Sequence, residues 1–101
     1  MNTFYRTGEF DAWLTGLKDN LAKARILYRI RAAELGNFGD CEPVGDGVSE
    51  IRVHVGPGYR VYFTRRESVV YWLLLGSDKS TQKRDIQRAK QILKTLDKEL
   101  K

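Results

Sequence analysis

The stretch Glu50 to Phe63, EIRVHVGPGYRVYF, constrains this chain more than any other. Two runs of alternating character flank Gly56-Pro57-Gly58. Alternation with period two marks a half-buried strand, and a three-residue connection containing glycine marks a β-hairpin. With Gly56 to Gly58 as the loop, Val55 lies opposite Tyr59, His54 opposite Arg60, Val53 opposite Val61, Arg52 opposite Tyr62 and Ile51 opposite Phe63. Side chains alternate faces along a strand. Ile51, Val53, Val55, Tyr59, Val61 and Phe63 therefore form a core face, and Glu50, Arg52, His54, Arg60 and Tyr62 share the other. Two guanidinium groups, an imidazole, a phenol and a carboxylate on one patch of sheet are unusual for a merely solvated surface. The pairing depends on the register, since a one-residue slip would part the two polar sets.

The flanking segments supply the rest of a domain. Residues 2–6 read as a short strand. Thr7 is placed to cap a helix with Glu9 in its first turn, and Phe10, Trp13, Leu14 and Leu17 form one stripe of it. Asp19 or Asn20 caps a second helix over about residues 21–35. Leu21, Ala24, Leu27, Tyr28, Arg31 and Leu35 make one face of that helix, Ile26, Ile30 and Ala33 widen it, and Gly36 stops it. Residues 36–47, GNFGDCEPVGDG, read as an acidic, glycine-rich loop; with no Gly-Lys-Ser/Thr following, they are not a phosphate loop. Residues 65–68 read as a polar turn, and Val69 to Leu75 as a central strand covered on both faces. Ser80 or Thr81 caps a final helix. Its seam of Ile86, Ala89, Leu93, Leu96 and Leu100 is suited to the sheet, to a partner, or to each in turn. The order of strand, two helices, three strands and helix predicts one α+β domain spanning residues 1–101. It has a small antiparallel-rich sheet, two N-terminal helices packed on it and a C-terminal helix.

Composition narrows the class. The net charge of +5 is uneven: −2 over residues 1–50, +3 over 51–80 and +4 over 81–101. This asymmetry fits a polyanionic partner for the basic half, although a solvated basic helix gives the same signal. The single cysteine, Cys41, excludes an internal disulfide and fits a reducing compartment. With one histidine beside it there is no zinc set, and no metal or cofactor is expected. The longest apolar run is far too short to span a bilayer, and the N-terminus has no leader-like apolar segment. A cytoplasmic protein with no membrane partner is the expectation.

Four motifs in order, FDAWL, GNFGD, GPGYRVYF and LLLGSDKSTQ, resemble the RelE/ParE superfamily of toxins, and most closely its addiction-module killer branch near the HigB-like toxins. The resemblance covers nearly the whole chain. It implies a toxin of a type II toxin–antitoxin system, neutralised in a hetero-oligomer by a cognate antitoxin of helix-turn-helix type. It usually implies ribosome-dependent cleavage of mRNA. The arginine of the Gly-Tyr-Arg motif, here Arg60, lies in the nuclease site of such enzymes. Alternate positions of the preceding strand, here Glu50, Arg52 and His54, belong to that site, and Lys79 matches a further cation. Glu50 replaces a lysine of RelE itself, and Ser77 replaces the usual second glycine before Asp78-Lys79. The superfamily also contains gyrase poisons of the ParE type, so a non-catalytic toxin, or an inactive antitoxin-binding module, remains the alternative.

The chemistry such a face offers needs no metal. RNA cleaves when its 2′-hydroxyl attacks the adjacent phosphorus, and a protein helps by moving protons and holding charge. Arg60 and Arg52 suit the phosphate oxygens. His54 or Glu50 suits the proton, with orienting a neighbour the other role open to Glu50. Tyr62 is a candidate base platform or proton donor. Lys79, Gln82, Lys83 and Arg84 are candidates for gripping backbone phosphate. The plainer readings are a cross-strand surface histidine, and Arg52 and Glu50 simply paired with nearby charges.

Overall fold

The computed structural model describes residues 1–100. Strand β1 (Thr3–Arg6) leads into helices α1 (Gly8–Gly16) and α2 (Asn20–Glu34). Strands β2 (Cys41–Gly45), β3 (Val48–Val53), β4 (Tyr59–Glu67) and β5 (Val70–Asp78) follow. A 3-10 turn, Lys79–Thr81, opens helix α3 (Gln82–Glu99). The sheet order is β1-β5-β4-β3-β2, with β1 parallel to β5 and every other pairing antiparallel. The α+β class is as expected. Helices α1 and α2 bury Phe10, Leu14, Ile26 and Ile30 against Ile51, Val61, Phe63 and Leu73 on one face. On the other face α3 buries Ala89, Ile92, Leu93 and Leu96 against Val48, Tyr62 and Leu74. Its seam is thus spent on the sheet, except for Leu100, which is exposed. No helix among the described residues is long and apolar enough to cross a membrane.

Local chemistry sets the helix entries. Thr7 Oγ1 accepts from Phe10 N at 3.1 Å and donates to Leu74 O at 2.7 Å, so the cap of α1 is also its tie to β5. Asp19 Oδ1 accepts from Ala22 N at 3.1 Å and caps α2. Gly76 lets Trp13 lie flat on β5, because a Cβ there would stand 2.1 Å from the indole.

Four expectations need correction. Residues 36–47 are not loop throughout, for β2 forms within them and pairs with β3. An edge strand needs only one row of hydrogen bonds, so Pro43 is tolerated there. Strand β4 runs on through Glu67, and the turn is only Ser68-Val69. The hairpin register is shifted by two: Val53 faces Tyr59, Arg52 faces Arg60, Ile51 faces Val61 and Glu50 faces Tyr62. A shift of two preserves the faces, but the connection becomes residues 54–58 and His54 leaves the ladder. Finally, α2 turns the narrow row Ala22, Ile26, Ile30 and Ala33 inward, leaving Leu21, Leu27, Tyr28 and Leu35 exposed. Asn2 Nδ2 donates to Ala33 O at 3.0 Å, and Arg29 Nη1 donates to Arg52 O at 2.6 Å. These bonds accompany that orientation.

Candidate active site

Arg52 and Arg60 stand directly opposite one another on the α3 side of the hairpin. Like charges so placed repel. Glu50, 1 % exposed, removes the conflict: Oε2 accepts from Arg52 Nε at 3.0 Å and from Arg60 Nη1 at 2.6 Å. Gln82 Nε2 donates to the other oxygen at 3.4 Å from the start of α3. A buried carboxylate needs such partners. Glu50 therefore lies beneath the two cations as their shared support.

The two arginines then differ. Arg52 is held by carboxylates at every nitrogen, since Asp40 at 2.9 Å and Glu42 take the two that Glu50 does not. Arg60 has Glu50 as its ion-pair partner, and it lines a cleft of about 360 Å³ with Arg52, His54, Tyr59 and Lys79. Lys79 arrives there because its backbone N–H donates to Gly58 O at 3.1 Å, tying the end of β5 to the hairpin loop. Gly58, at φ 88°, occupies the left-handed region that this turn requires. Asp78, held below the usual carboxylate range by Ser80 side-chain and backbone donors, caps the turn that follows.

Lys83 and Arg84 are exposed beyond the cleft, where they line a shallow groove with Lys79 and Gln82. Tyr62 is elsewhere. Its ring is fully buried in the α3 core and its hydroxyl pairs with Ser77 Oγ at 3.0 Å, so it offers no platform for a base. Burial pushes its phenol upward, above the ordinary value near 10. The serine that replaces a glycine thus has a structural partner. The Cys41 thiol is also pushed up by burial, which disfavours its thiolate.

His54 is 72 % exposed, and Nε2 lies 2.6 Å from Asp40 Oδ2. Hydrogen bonds from His54 and then Arg52 hold the Asp40 carboxyl below the usual range. Asp40 and Arg29 are the residues that sequence reasoning missed. Arg29 Nη2 donates to Phe38 O at 2.9 Å and Nη1 to Arg52 O, fastening the Asp40 loop and β3 to α2. The GNFGD motif contained Asp40, but its acidity concealed its place among cations. Arg29 gave no local signal.

A model of the family described as phage-derived Gp49-like proteins matches residues 12–95. An uncharacterized protein of Haemophilus influenzae is 48 % identical over 87 residues, covering 86 % of this chain and 88 % of that one.

Proposed function

The chain belongs to the phage-derived Gp49-like family, a toxin-like family related to the RelE and HigB type, and on that premise we propose that it is the toxin of a toxin–antitoxin pair that cleaves mRNA on the ribosome. The observation that carries this reading is the cleft itself. It sets a guanidinium on a buried carboxylate strut, a lysine and an imidazole around one concavity, and that imidazole is paired with Asp40.

Arg60 holds the negative charge that grows on the phosphate as the 2′-oxygen attacks. Lys79 meets the adjoining phosphate, and Lys83 and Arg84 extend the grip along the strand or ribosomal RNA. Glu50 and Gln82 act from beneath, keeping Arg60 in place. Arg52 braces Glu50 and Asp40 rather than gripping substrate. A cognate antitoxin, of helix-turn-helix type, neutralises the protein by covering part of this basic half. The reaction proceeds in the cytoplasm, where its substrate is.

Induced expression followed by mapping of RNA 5′ ends, with and without translation, tests the proposal. New ends within open reading frames that vanish when translation is blocked are expected. Growth arrest with DNA damage and intact transcripts would instead identify a gyrase poison.

A further inference from the structure

We propose that Asp40 is the positioning residue of this site, fixing His54 and Arg52 as one unit so that the imidazole receives the proton of the attacking 2′-hydroxyl. The inference rests on the nuclease reading above. Asp40 is built into its place. Its carbonyl accepts from Arg52 N at 2.9 Å, and Arg29 clasps Phe38 O on one side and Arg52 O on the other. Gly39 lies at φ 62°, a left-handed backbone that glycine favours, and an added Cβ would come within 2.7 Å of the Arg29 guanidinium and displace it from this clasp.

The carboxylate is divided between two partners. Oδ2 meets His54 Nε2 at 2.6 Å and Oδ1 meets Arg52 Nη1 at 2.9 Å. An exposed histidine in a five-residue loop has many rotamers, and the carboxylate selects one. With Nε2–H donated to Asp40, the ring's lone pair is on Nδ1. Nδ1 takes the 2′-hydroxyl proton while the O2′–P bond forms and the P–O5′ bond breaks. The departing 5′-oxygen takes a proton from water, and His54 returns its own to the hydroxide left behind. The products are a 2′,3′-cyclic phosphate and a 5′-hydroxyl.

The test uses translating ribosomes programmed with a defined mRNA, and binding to the same RNA carrying 2′-O-methyl groups. Asp40→Ala should slow single-turnover cleavage about 10- to 100-fold, as loss of an orienting carboxylate does elsewhere. Binding of the uncleavable RNA should stay equal or tighten, because a negative charge has left two cleft-lining residues, Arg52 and His54. Asp40→Asn, which can still accept from Nε2–H, should recover part of the rate. In a His54→Ala background, Asp40→Ala should add less than about 3-fold, as expected for groups that act as a unit. Unchanged or faster cleavage by Asp40→Ala would overturn the proposal, the faster rate marking Asp40 as a brake. Equal losses of binding and cleavage, or full additivity with His54→Ala, would also overturn it. A wild type that leaves RNA intact would overturn the nuclease reading as well, whereas a cleaving wild type with an unimpaired Asp40→Ala refutes this inference alone.

Discussion

Replacing Arg60 by alanine should weaken the fold as well as the chemistry, and the two losses should be separable. Glu50 is 1 % exposed, and it accepts from Arg60 at 2.6 Å, Arg52 at 3.0 Å and Gln82 at 3.4 Å. Arg60→Ala takes one of two guanidiniums from a carboxylate that water barely reaches. Breaking a buried pair outright costs about 3–5 kcal/mol. Arg52 remains, so roughly half of that, about 2 kcal/mol, is the expected loss. At about 4–8 °C per kcal/mol in a domain of this size, Tm should fall by about 8–16 °C. Adding Glu50→Gln removes the stranded charge, so the double variant should be more stable than the sum of the single effects by at least about 1 kcal/mol. Its cleavage rate should not recover, because the lost charge stabilisation is worth about 100- to 1000-fold. Urea unfolding followed by the fluorescence of Trp13 and Trp72 measures the first quantity, and cleavage on programmed ribosomes the second. An Arg60→Ala variant that unfolds with the wild type, or strictly additive losses in the double variant, would refute Glu50 as the strut.

Tyr62→Phe should keep cleavage intact and cost about 1 kcal/mol for the lost bond to Ser77. Its phenol is raised in the fold, so the tyrosine's contribution is whole below about pH 10 and is lost as pH climbs through the folded value. Alkaline unfolding should therefore be less steep in the Phe variant, and base-stacking at Tyr62 would show instead as weakened RNA binding. Gly76→Ala drives a methyl into the Trp13 ring and should destabilise by about 1–3 kcal/mol, with a shift in tryptophan emission; an unperturbed spectrum and Tm would contradict the packing. Joint replacement of Lys79, Lys83 and Arg84 by alanine should flatten the salt dependence of RNA binding by about 0.7 in slope per lost phosphate contact, and an unchanged slope would move the docking surface elsewhere.

The hairpin was legible because its signal is one of parity. A two-residue error in register leaves each side chain on its proper face, so Glu50, Arg52 and Arg60 are grouped correctly, and His54 shares their cleft although it lies in the connection rather than opposite Arg60. Its five-residue connection bends back through a Gly58 N to Val55 O bond, which no pattern of hydrophobicity reports. Strand β2 was hidden by Pro43 and by the glycines around it, residues that an edge strand accepts and a central one does not. On α2 two apolar rows compete at helical spacing. The row with larger side chains reads as the stronger, but the smaller Ala22 and Ala33 let the helix approach the sheet. The roles of Asp40, Glu42 and Arg29 arise only when distant segments meet. Their charges look like solvated surface until β2 and α2 are set beside the hairpin.

The parallel pairing of β1 with β5 bears on how the protein is made. Thr3 must wait for Val70 before its strand has a partner. Synthesis at about 5–20 residues per second puts that interval at roughly 3–13 s, and pairings so distant in sequence form slowly in any case. Lys79 and Gln82, the last parts of the cleft and its support, leave the ribosome later still. A growing chain therefore has no assembled cleft until residues 79–82 have emerged.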